Sequence, residues 1–582
     1  MPMRNAEIAA AMEELGILYE LDGAVRYRVL AYKEAGRVIR QSPVSVEELA
    51  LAGRATELPG IGETLQTKIL ALAETGEIPS ATKLKAKFPA SLVEVTRLPG
   101  VGAKTARRLY DELGIASLDE LREAAQAERI QTVKGLGGKF EQSVLAALDR
   151  LGEEGAPGRL LLSAVLPVAE ELAAALREHP ACDRVTVAGS ARRMAETCKD
   201  IDLIATATDP NALATALTEH PLAAQAGSAG GSGARIVTFN GISVDLRIVE
   251  PAAYGNLLQH FTGSAEHNVA LRERAVRAGL SVSEHGIAEV ESGKVERFES
   301  EHQVYQRLGL AYIEPELREG NGEIAAAAAG ELPELVEIDD LRGDLHCHTT
   351  LSDGRNSLAE MAEAARARGY GYLALTDHSA SHGFGNHVTA DQLRGRIEEV
   401  AEWNSSAKRR FRLLAGSEVN VGTDGSLDYD QEVLEALDWV VASVHTSFRI
   451  SGKEMTKRVI TAIENTQVDC IGHLTGRLIG RREPYDIDVE AVAEAAAANR
   501  TLIEINGNPN RRDLSERHAR LAAEAGVRIC VNTDAHGVDT LSNIKYGIAT
   551  ARRAWLTRRE IANTRSWREL LKLRGRSVSA GT

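Results

Sequence analysis

The chain has 582 residues, of which 44% are hydrophobic and 26% charged, and its formal net charge is −15. This length exceeds what one hydrophobic core supports, and the composition is typical of a globular protein, so several folded domains are expected. No apolar run approaches the roughly 20 residues of a membrane helix, and the acidic, helix-patterned N-terminus does not resemble a signal peptide. The acidity weighs mildly against nucleic-acid binding, although metal-binding carboxylates contribute to it.

The cysteine pattern indicates a reducing environment. The five cysteines are far apart and form no Cys-x-x-Cys pair; they are Cys182, Cys198, Cys347, Cys470 and Cys530. Free thiols of this kind are typical of cytoplasmic proteins, so a cytoplasmic location is predicted.

The N-terminal region is helical in pattern and repeats a glycine turn. Leu58-Pro59-Gly60-Ile61-Gly62 returns about 40 residues later as Leu98-Pro99-Gly100-Val101-Gly102-Ala103-Lys104, and residues 134–139 form a third, weaker copy. Such turns leave backbone N–H groups free to bind phosphate without base recognition. Glycine could instead serve only to make tight turns, but three copies favour contacts with a DNA backbone. The turns resemble helix-hairpin-helix motifs, with Gly60, Gly62, Gly100, Gly102 and Lys104 as predicted DNA contacts.

Three carboxylates are predicted to converge on a sheet. Asp200 and Asp202 lie two residues apart in an apolar strand, so both project from one face. Asp245 lies on the polar face of a second strand, at 242–248. If the strands are neighbours, the three carboxylates need cations, and an oxygen-only site suits two Mg²⁺ ions that act in phosphoryl transfer. An Asp-x-Asp pair alone is common on solvated strands.

Residues just upstream suit a triphosphate. Gly189-Ser190-Ala191-Arg192-Arg193 supplies a backbone anion site, a hydroxyl group and two guanidinium groups. Together with the carboxylates, this segment resembles the palm of family X DNA polymerases. His260-Phe261-Thr262-Gly263-Ser264, with Asn268 and Arg272, resembles their nucleotide-binding thumb segment. His260 departs from the Tyr usual in the family, and residues 196–199 lack the usual Gly before the first Asp.

The palm resemblance implies roles for these residues. Two Mg²⁺ ions would be held by Asp200, Asp202 and Asp245; the triphosphate and nucleotide would be bound by Gly189, Ser190, Arg193, Phe261, Gly263 and Asn268; and the template strand would be touched by Arg272. The first hairpin also resembles the lyase domain of DNA polymerase beta, which places Lys68 at the Schiff-base lysine. A lysine on a helix surface is more commonly just solvated.

The C-terminal region alternates short apolar strands with helices, which predicts a parallel α/β barrel. Seven strand-like segments span 343–348, 371–378, 411–419, 437–445, 468–473, 501–506 and 527–536. Six of them end in, or lead into, residues that bind metals, and strand C-terminal ends meet at one face of a barrel. The nine candidate ligands are His346, His348, Asp353, His378, Glu418, His445, His473, Asp534 and His536.

This donor set suits about three ions of Mn²⁺, Zn²⁺ or Fe, which would hydrolyse a phosphoester. Arg477, Arg481 and Arg482 are predicted to hold the DNA phosphate. The segments Asp344-Leu345-His346-Cys347-His348, Ser352-Asp353-Gly354, Thr376-Asp377-His378, Ser443-Val444-His445 and Thr533-Asp534-Ala535-His536 resemble the polymerase and histidinol phosphatase (PHP) domain.

The order of segments resembles the bacterial and archaeal family X polymerases with a C-terminal PHP domain, over nearly the whole chain. We therefore expect a multidomain fold: a lyase-like helix-hairpin-helix domain (1–85), a fingers-like one (86–155), an α+β nucleotidyltransferase palm (156–250) and thumb (251–320), a linker (321–337) and an α/β PHP barrel of about seven strands (338–582).

The resemblance implies short-gap DNA repair synthesis from deoxynucleoside triphosphates, as in base excision repair. It also implies 3′-end trimming by the barrel and cleavage at abasic sites. Two other interpretations stay open: a nuclease whose polymerase half only binds DNA, and a small-molecule phosphatase, against which the hairpins argue.

Overall fold

The computed structural model describes residues 3–98, 100–150, 158–381, 387–406 and 411–575. Pro99 of the second hairpin, the end of the predicted fingers-like domain (151–155) and the end of the predicted barrel domain (576–582) lie outside the described residues. Packing separates the chain into two compact units. The first comprises Met1–Leu160, Ala164–Val187 and Lys199–Glu250, and the second comprises Leu161–Ser163, Ala188–Cys198 and Pro251–Thr582. Within the described part, no helix combines the length and apolarity needed to cross a membrane.

The described residues before 151 form helices only, as predicted. On the first helix, Ile8, Met12, Leu15 and Leu18 are fully buried, because residues three or four apart share one helix face. The helices are α1 (Asn5–Leu21), α2 (Arg26–Gln41), α3 (Val46–Leu51), α4 (Glu63–Thr75), α5 (Pro79–Lys85), α6 (Ala90–Arg97), α7 (Ala103–Leu113), α8 (Leu118–Gln126) and α9 (Gly138–Arg150).

The next region alternates strands and helices. Its elements are β1 (Leu160–Leu161), α10 (Leu162–Glu178), β2 (Cys182–Val187), α11 (Gly189–Arg192), β3 (Thr197–Cys198), β4 (Asp200–Ala207), α12 (Pro210–Thr218), β5 (Ala223–Gly230), β6 (Gly233–Thr238) and β7 (Ser243–Ile248). In the first unit, a sheet of order β2-β4-β7-β6-β5 forms, in which only the β4–β7 pair is parallel. This mixed sheet is the predicted palm.

The predicted thumb mixes helices with a small antiparallel sheet. Its elements are α13 (Tyr254–Thr262), α14 (Ala265–Arg277), β8 (Leu280–Ser283), β9 (Gly286–Glu289), β10 (Val295–Glu296) and α15 (Glu301–Arg307). The segment predicted as a linker contains a further helix, α16 (Glu323–Ala329), between two glycines of positive φ, Gly322 and Gly330. Glu323 is fully buried against His267, 2.7 Å away, so this part of the segment packs as part of the fold.

The C-terminal region is the predicted parallel barrel. Among the described residues, seven parallel strands lie side by side in sequence order. The strands and helices are β11 (Gly343–Asp344), α17 (Leu358–Ala367), β12 (Tyr372–Leu375), α18 (Ala390–Ser406), β13 (Arg412–Asn420), α19 (Gln431–Ala436), β14 (Trp439–Ser443), α20 (Gly452–Ile463), β15 (Cys470–Ile471), α21 (Val489–Asn499), β16 (Leu502–Asn506), α22 (Glu516–Glu524), β17 (Ile529–Asn532), α23 (Ile544–Arg553) and α24 (Trp567–Leu570).

Two buried clusters hold the barrel together. Leu373 and Leu375 of β12 pack outward against the helices, whereas the alternating Tyr372 and Ala374 belong to the interior cluster, which also contains Trp439. This alternation follows from the strand period of two. A parallel bridge joins Cys347 to Ala535, so the ends of the first and last strands also meet and the barrel is nearly closed.

Candidate catalytic and metal-binding sites

Three glycine turns in the helical region share one backbone geometry. Gly60, Gly100 and Gly135 have φ values of 79°, 90° and 86°, a conformation that glycine adopts without steric cost. Two residues later, Gly62 and Gly102 are the N-caps of α4 and α7. Nothing lies within 4 Å of the Cβ that either would carry. The turns therefore present uncovered backbone N–H groups at helix N-termini, where phosphate binds readily.

The palm carboxylates lie on adjacent parallel strands. Asp200 and Asp202 alternate with the buried Ile201 along β4, so they project from one face. The register pairs Asp202 with Asp245 of β7, which meets the condition of neighbouring strands on which the sequence prediction depends. Arg235, opposite Asp245 on β6, donates to both of its carboxylate oxygens at 2.8 and 2.9 Å.

The three carboxylates do not close into a compact group. Among the described residues, the sets of three or more potential ligands whose atoms all lie within 4.8 Å are found in the barrel. Carboxylates repel one another when no cation lies between them, and Arg235 already holds Asp245. The oxygen-only donor set, half-buried on the sheet face, fits Mg²⁺ that binds together with substrate phosphates.

The predicted nucleotide-binding residues lie in the second unit. Arg193, just after α11, donates from Nη1 to the carbonyl of Thr262 at 2.5 Å and from Nε to Glu319 at 2.9 Å. Gly263 has a φ of 67°, and a Cβ there would meet Nη1 of Arg193 at 3.2 Å. The fold therefore brings the α11 loop against the turn between α13 and α14.

The other predicted nucleotide-binding residues lie on the helices α11, α13 and α14. Ser190 is half-buried on α11, and Phe261 is half-buried at the end of α13. The Asn268 side chain donates to the carbonyl of His260 at 2.8 Å and accepts from Gln259. Arg272 is exposed on α14, which leaves its guanidinium available to a ligand.

The barrel gathers the nine predicted ligands at the C-terminal ends of its strands. They form three overlapping groups in which all ligand atoms lie within 4.8 Å of one another: His348, Asp353, His378 and His536; His346, His348 and Asp534; and His378, Glu418 and His445. The ninth residue, His473, joins them through Glu418, because its Nε2 lies 2.9 Å from Oε1 of that carboxylate.

Glu418 is the centre of the cluster. Its carboxylate lies 3.4 Å from Nε2 of His346, 2.9 Å from Nδ1 of His378 and 3.2 Å from Nε2 of His445. Asp353 lies at the outer side, 3.3 Å from Nε2 of His536. Glu418 is almost fully buried, whereas the Asp353 and His536 side chains are 26% and 33% exposed. The cluster is therefore open to solvent on the side of Asp353 and His536.

The polar atoms of the cluster fit metal ions. Nε2 of His346, Nδ1 of His348, Nδ1 of His473 and Oε2 of Glu418 are buried without a hydrogen-bond partner. Each such orphaned atom costs about 1–3 kcal/mol, so a group of them at one point indicates lone pairs arranged for a cation. A mixed nitrogen and oxygen donor set of this kind suits transition metals better than Mg²⁺.

Burial and neighbouring charges set different pKa values within the cluster. Burial, together with the neighbouring His536 and His378, lowers the pKa of His348 to about 4, and burial likewise lowers the pKa of His445 to about 4. Burial alone would raise the pKa of the Glu418 carboxyl group, but the surrounding histidines hold it well below its ordinary value. At neutral pH His348 and His445 are therefore neutral and Glu418 is ionised, as metal ligation requires. The neighbouring carboxylates outweigh burial and raise the pKa values of His346, His378 and His536, that of His536 to about 9, so these imidazoles release a proton when they bind a metal.

The structure does not test the roles predicted for three basic residues. Arg477 forms an ion pair with Glu196 at 2.5 Å, while Arg481 is exposed nearby. Lys68, half-buried on α4, donates to the Ser80 hydroxyl at 3.0 Å. DNA binding by the two arginines and lyase chemistry at Lys68 stay predictions.

Family models match along most of the chain. A helix-hairpin-helix domain matches residues 3–78, and a tandem helix-hairpin-helix model matches 53–114 and 92–150. The DNA polymerase beta thumb matches 257–319, and the PHP domain matches 344–508. A protein of Bacillus subtilis (strain 168) named "DNA polymerase/3'-5' exonuclease PolX" is 35% identical over 570 residues, which cover 98% of this chain and 99% of the relative. This chain belongs to the family X DNA polymerases that carry a PHP domain.

The PHP domain has shorter relatives as well. A "probable phosphatase" of Thermoanaerobacter sp. (strain X514) is 33% identical over 233 residues, 38% of this chain and 89% of the relative. Another, from Vibrio atlanticus (strain LGP32), is 31% identical over 226 residues, 35% of this chain and 84% of the relative. Each of these matches covers little more than a third of this chain. Family X membership rests on nearly the whole chain and argues against a small-molecule phosphatase.

Sequence reasoning missed a layer of polar residues around the PHP ligands. Glu504 of β16 is fully buried and accepts from Nδ1 of His346 at 2.7 Å and from the backbone N–H of His473 at 2.9 Å. An acidic residue inside the apolar strand 501–506 was the available signal. Arg511, which follows β16, lies 3.6 Å from Asp534; no sequence pattern marks it, and it is a candidate phosphate contact.

Proposed function

We propose that this family X polymerase extends DNA 3′ ends with deoxynucleoside triphosphates, and that its PHP domain removes 3′-terminal nucleotides. Together the two activities would fill short gaps and clean damaged ends in base excision repair. The observation that carries the proposal is the presence, in one chain, of two chemically different donor sets: palm carboxylates on paired strands and a histidine-rich cluster in a barrel. The printed name of the Bacillus subtilis relative combines the same two activities.

Nucleotide addition would use the palm and thumb residues in separate roles. Asp200, Asp202 and Asp245 would hold the metal ions, and Ser190 and Arg193 would bind the triphosphate. When bound, Mg²⁺ supplies positive charge that stabilises the attacking and leaving oxygens. The hairpin turns would bind the DNA backbone without base recognition, so the reaction would proceed on any sequence.

Removal of 3′ nucleotides would take place at the open side of the PHP cluster. Bound divalent cations supply a Lewis acid and a water molecule of lowered pKa. The chain's own contribution is to keep His348 and His445 neutral, to bury Glu418 among the imidazoles and to leave Asp353 and His536 accessible to the substrate. Arg511, beside Asp534, would bind the phosphate under attack.

The metals would differ between the two sites. Imidazole nitrogens bind Mn²⁺, Fe²⁺ and Zn²⁺ better than Mg²⁺, so the PHP cluster would retain about three transition-metal ions through dialysis, at three to four protein ligands each. The palm would lose its Mg²⁺, because such sites bind it mainly through the nucleotide. Elemental analysis of dialysed protein, compared with a His346→Ala/His348→Ala variant, measures the difference. Retained metal that does not fall in that variant would contradict the assignment of the cluster.

The two activities should be separable by substitution. Asp202→Ala should abolish nucleotide addition on a gapped duplex and spare 3′-end degradation, because the palm and the PHP cluster share no residue. His445→Ala should do the reverse. Primer extension with Mg²⁺ or Mn²⁺, run beside degradation of a labelled 3′ end, measures both. A folded PHP variant that loses both activities would contradict the two-site proposal.

A second candidate is a PHP nuclease whose palm only binds DNA. Two features favour it: His260 stands where the family usually has Tyr, and Asp245 forms an ion pair with Arg235. The same primer-extension assay decides, since extension that disappears with Asp245→Ala is incompatible with this candidate.

A further inference from the structure

The loop that follows α11 is held by arginines from the distant C-terminal barrel. Within the second unit, Arg477 donates to both oxygens of Glu196, at 2.5 and 3.2 Å. Arg512 donates to the carbonyl of Met194 at 2.9 Å, and Arg553 donates to the carbonyl of Arg193 at 2.9 Å. Three guanidinium groups, supplied by residues about 280 to 360 positions away, therefore contact the four-residue stretch 193–196.

The three arginines are themselves fixed. Arg512 is fully buried, and its Nε donates to the Thr550 hydroxyl at 2.8 Å. Arg477 also donates to the backbone carbonyl of Arg512. Arg553 is 7% exposed and pairs with Glu516 at 2.8 Å. Because each guanidinium is paired inside the barrel, the group forms a rigid support and is not available to a DNA phosphate.

One carboxylate links this support directly to a nucleotide-binding side chain. Glu319 lies 2.6 Å from Nη1 of Arg553 and 2.9 Å from Nε of Arg193. Arg193 thus has its backbone carbonyl bound by Arg553 and its side chain bound by a carboxylate that Arg553 also holds. Its Nη1 reaches the carbonyl of Thr262, beside Gly263. The direction of the Arg193 guanidinium therefore depends on contacts with the barrel.

Loops that bind ligands are usually the mobile parts of a fold. A mobile loop must be ordered when the nucleotide binds, and that cost weakens binding. Here the loop is already ordered before a nucleotide binds, because the Arg477–Glu196 ion pair and the two contacts with backbone carbonyls hold it. Such preorganisation strengthens binding by removing the ordering cost of the loop.

We infer that Arg477, Arg512 and Arg553 of the barrel are positioning residues for nucleotide binding: they hold the loop that begins at Arg193 and directly follows the helix that carries Ser190, so that the polymerase depends on an intact PHP domain. The inference rests on the proposed polymerase function. It also assigns Arg477 a role other than the DNA phosphate contact predicted from the sequence.

The test separates nucleotide affinity from turnover. Arg477→Met should raise the KM for the incoming nucleotide about tenfold while kcat changes less than twofold, and 3′-end degradation should stay within twofold of the wild type. Arg517→Met is the matched control, because it removes the same charge from an exposed position on α22 and should change neither parameter. Glu196→Gln removes the same ion pair from the loop side and should give the same rise in KM.

Two further variants distinguish positioning from general destabilisation. Arg477→Lys keeps the charge but not the two-pronged contact, and should recover part of the lost affinity. The double variant Glu196→Arg/Arg477→Glu exchanges the two charges and restores the ion pair. Its nucleotide affinity should therefore be closer to that of the wild type than the affinity of either single variant. A wild-type KM in both Arg477→Met and Glu196→Gln, or a parallel loss of extension and degradation in both, would overturn the inference. A wild-type protein that extends no primer would contradict the proposed function and the inference with it.

Discussion

Glu504 tests whether the polar residues behind the PHP ligands set metal affinity. One of its oxygens accepts from Nδ1 of His346 at 2.7 Å and from Asn532 at 3.0 Å. The other accepts from the backbone N–H of His473 at 2.9 Å and from Asn506 at 3.1 Å. A carboxylate can only accept when ionised, so Nδ1 of His346 must carry the proton and Nε2 keeps its lone pair for a metal.

Glu504→Gln replaces one of these oxygens by an NH₂ group. The backbone N–H of His473 cannot become an acceptor, so the amide oxygen should stay with it and the NH₂ should face His346. To accept from that NH₂, His346 must move its proton to Nε2, which removes the lone pair that points toward Glu418. Loss of such an outer partner typically weakens metal binding 10- to 100-fold, or about 1.4–2.7 kcal/mol.

Titration of Mn²⁺ into chelator-treated protein measures this change by calorimetry. Exonuclease activity at limiting Mn²⁺ should fall in parallel and recover at high Mn²⁺, while primer extension with Mg²⁺ should not change. Glu464→Gln is the matched control, because it makes the same substitution at an exposed position after α20. Unchanged Mn²⁺ affinity in folded Glu504→Gln protein would refute the reasoning about the His346 proton.

Two further predictions concern DNA binding and acid stability. Gly102→Ala should weaken DNA binding severalfold, and to the same extent on unrelated gapped duplexes, because the added methyl group meets nothing in the protein but covers the phosphate-binding N–H groups. Binding titrations on two DNA sequences check this, and a loss of affinity confined to one sequence would contradict it. Arg318 and Arg192 outweigh the burial of Glu301 and lower its pKa from 4.5 to about 2. The ionised Glu301 carboxylate therefore stabilises the folded state by about 3 kcal/mol; this contribution is fully present above pH 4.5 and is lost as the pH falls toward 2. In denaturant titrations, the free energy of unfolding of the Glu301→Gln variant should fall by about 3 kcal/mol less than that of the wild type between pH 4.5 and pH 2. The same pH dependence in both proteins would contradict this prediction.

The parts of the fold that the sequence predicts well are those with local signals. All seven barrel strands were predicted, because each is a short apolar run. Six of the observed strands are shorter than predicted, as with Cys470–Ile471 inside the predicted 468–473, and the third, Arg412–Asn420, is shifted by one residue from the predicted 411–419. The sequence also places Asp202 and Asp245 on the polar faces of two apolar strands, but only the structure shows that these strands are neighbours and that the two residues pair. Helix α16 was missed, because glycines on both sides of an alanine run suggest a linker, and its burial depends on the contact between Glu323 and His267.

Contacts between neighbouring strands and between distant parts of the chain could not be predicted. Arg235 meets Asp245 only because of the register of β6 and β7, and nothing in the local sequence distinguishes it from a solvated arginine. The ion pair between Arg477 and Glu196 spans 281 residues, and both partners carry charges that are common on protein surfaces. Glu504 was visible as a charge inside an apolar strand, but its partner could be named only once β16 lay beside the His346 ligand.

The bridge between Cys347 and Ala535 sets the order in which the enzyme becomes functional during synthesis. The backbone N–H of His348 donates to the carbonyl of Ala535 at 2.8 Å, so the first ligands of the cluster depend on the last strand of the barrel. Domains made early on the ribosome can fold before the rest of the chain emerges. The hairpin domain can therefore be complete while the nuclease centre still lacks Asp534 and His536, and a nascent or prematurely terminated chain should engage DNA without being able to degrade it.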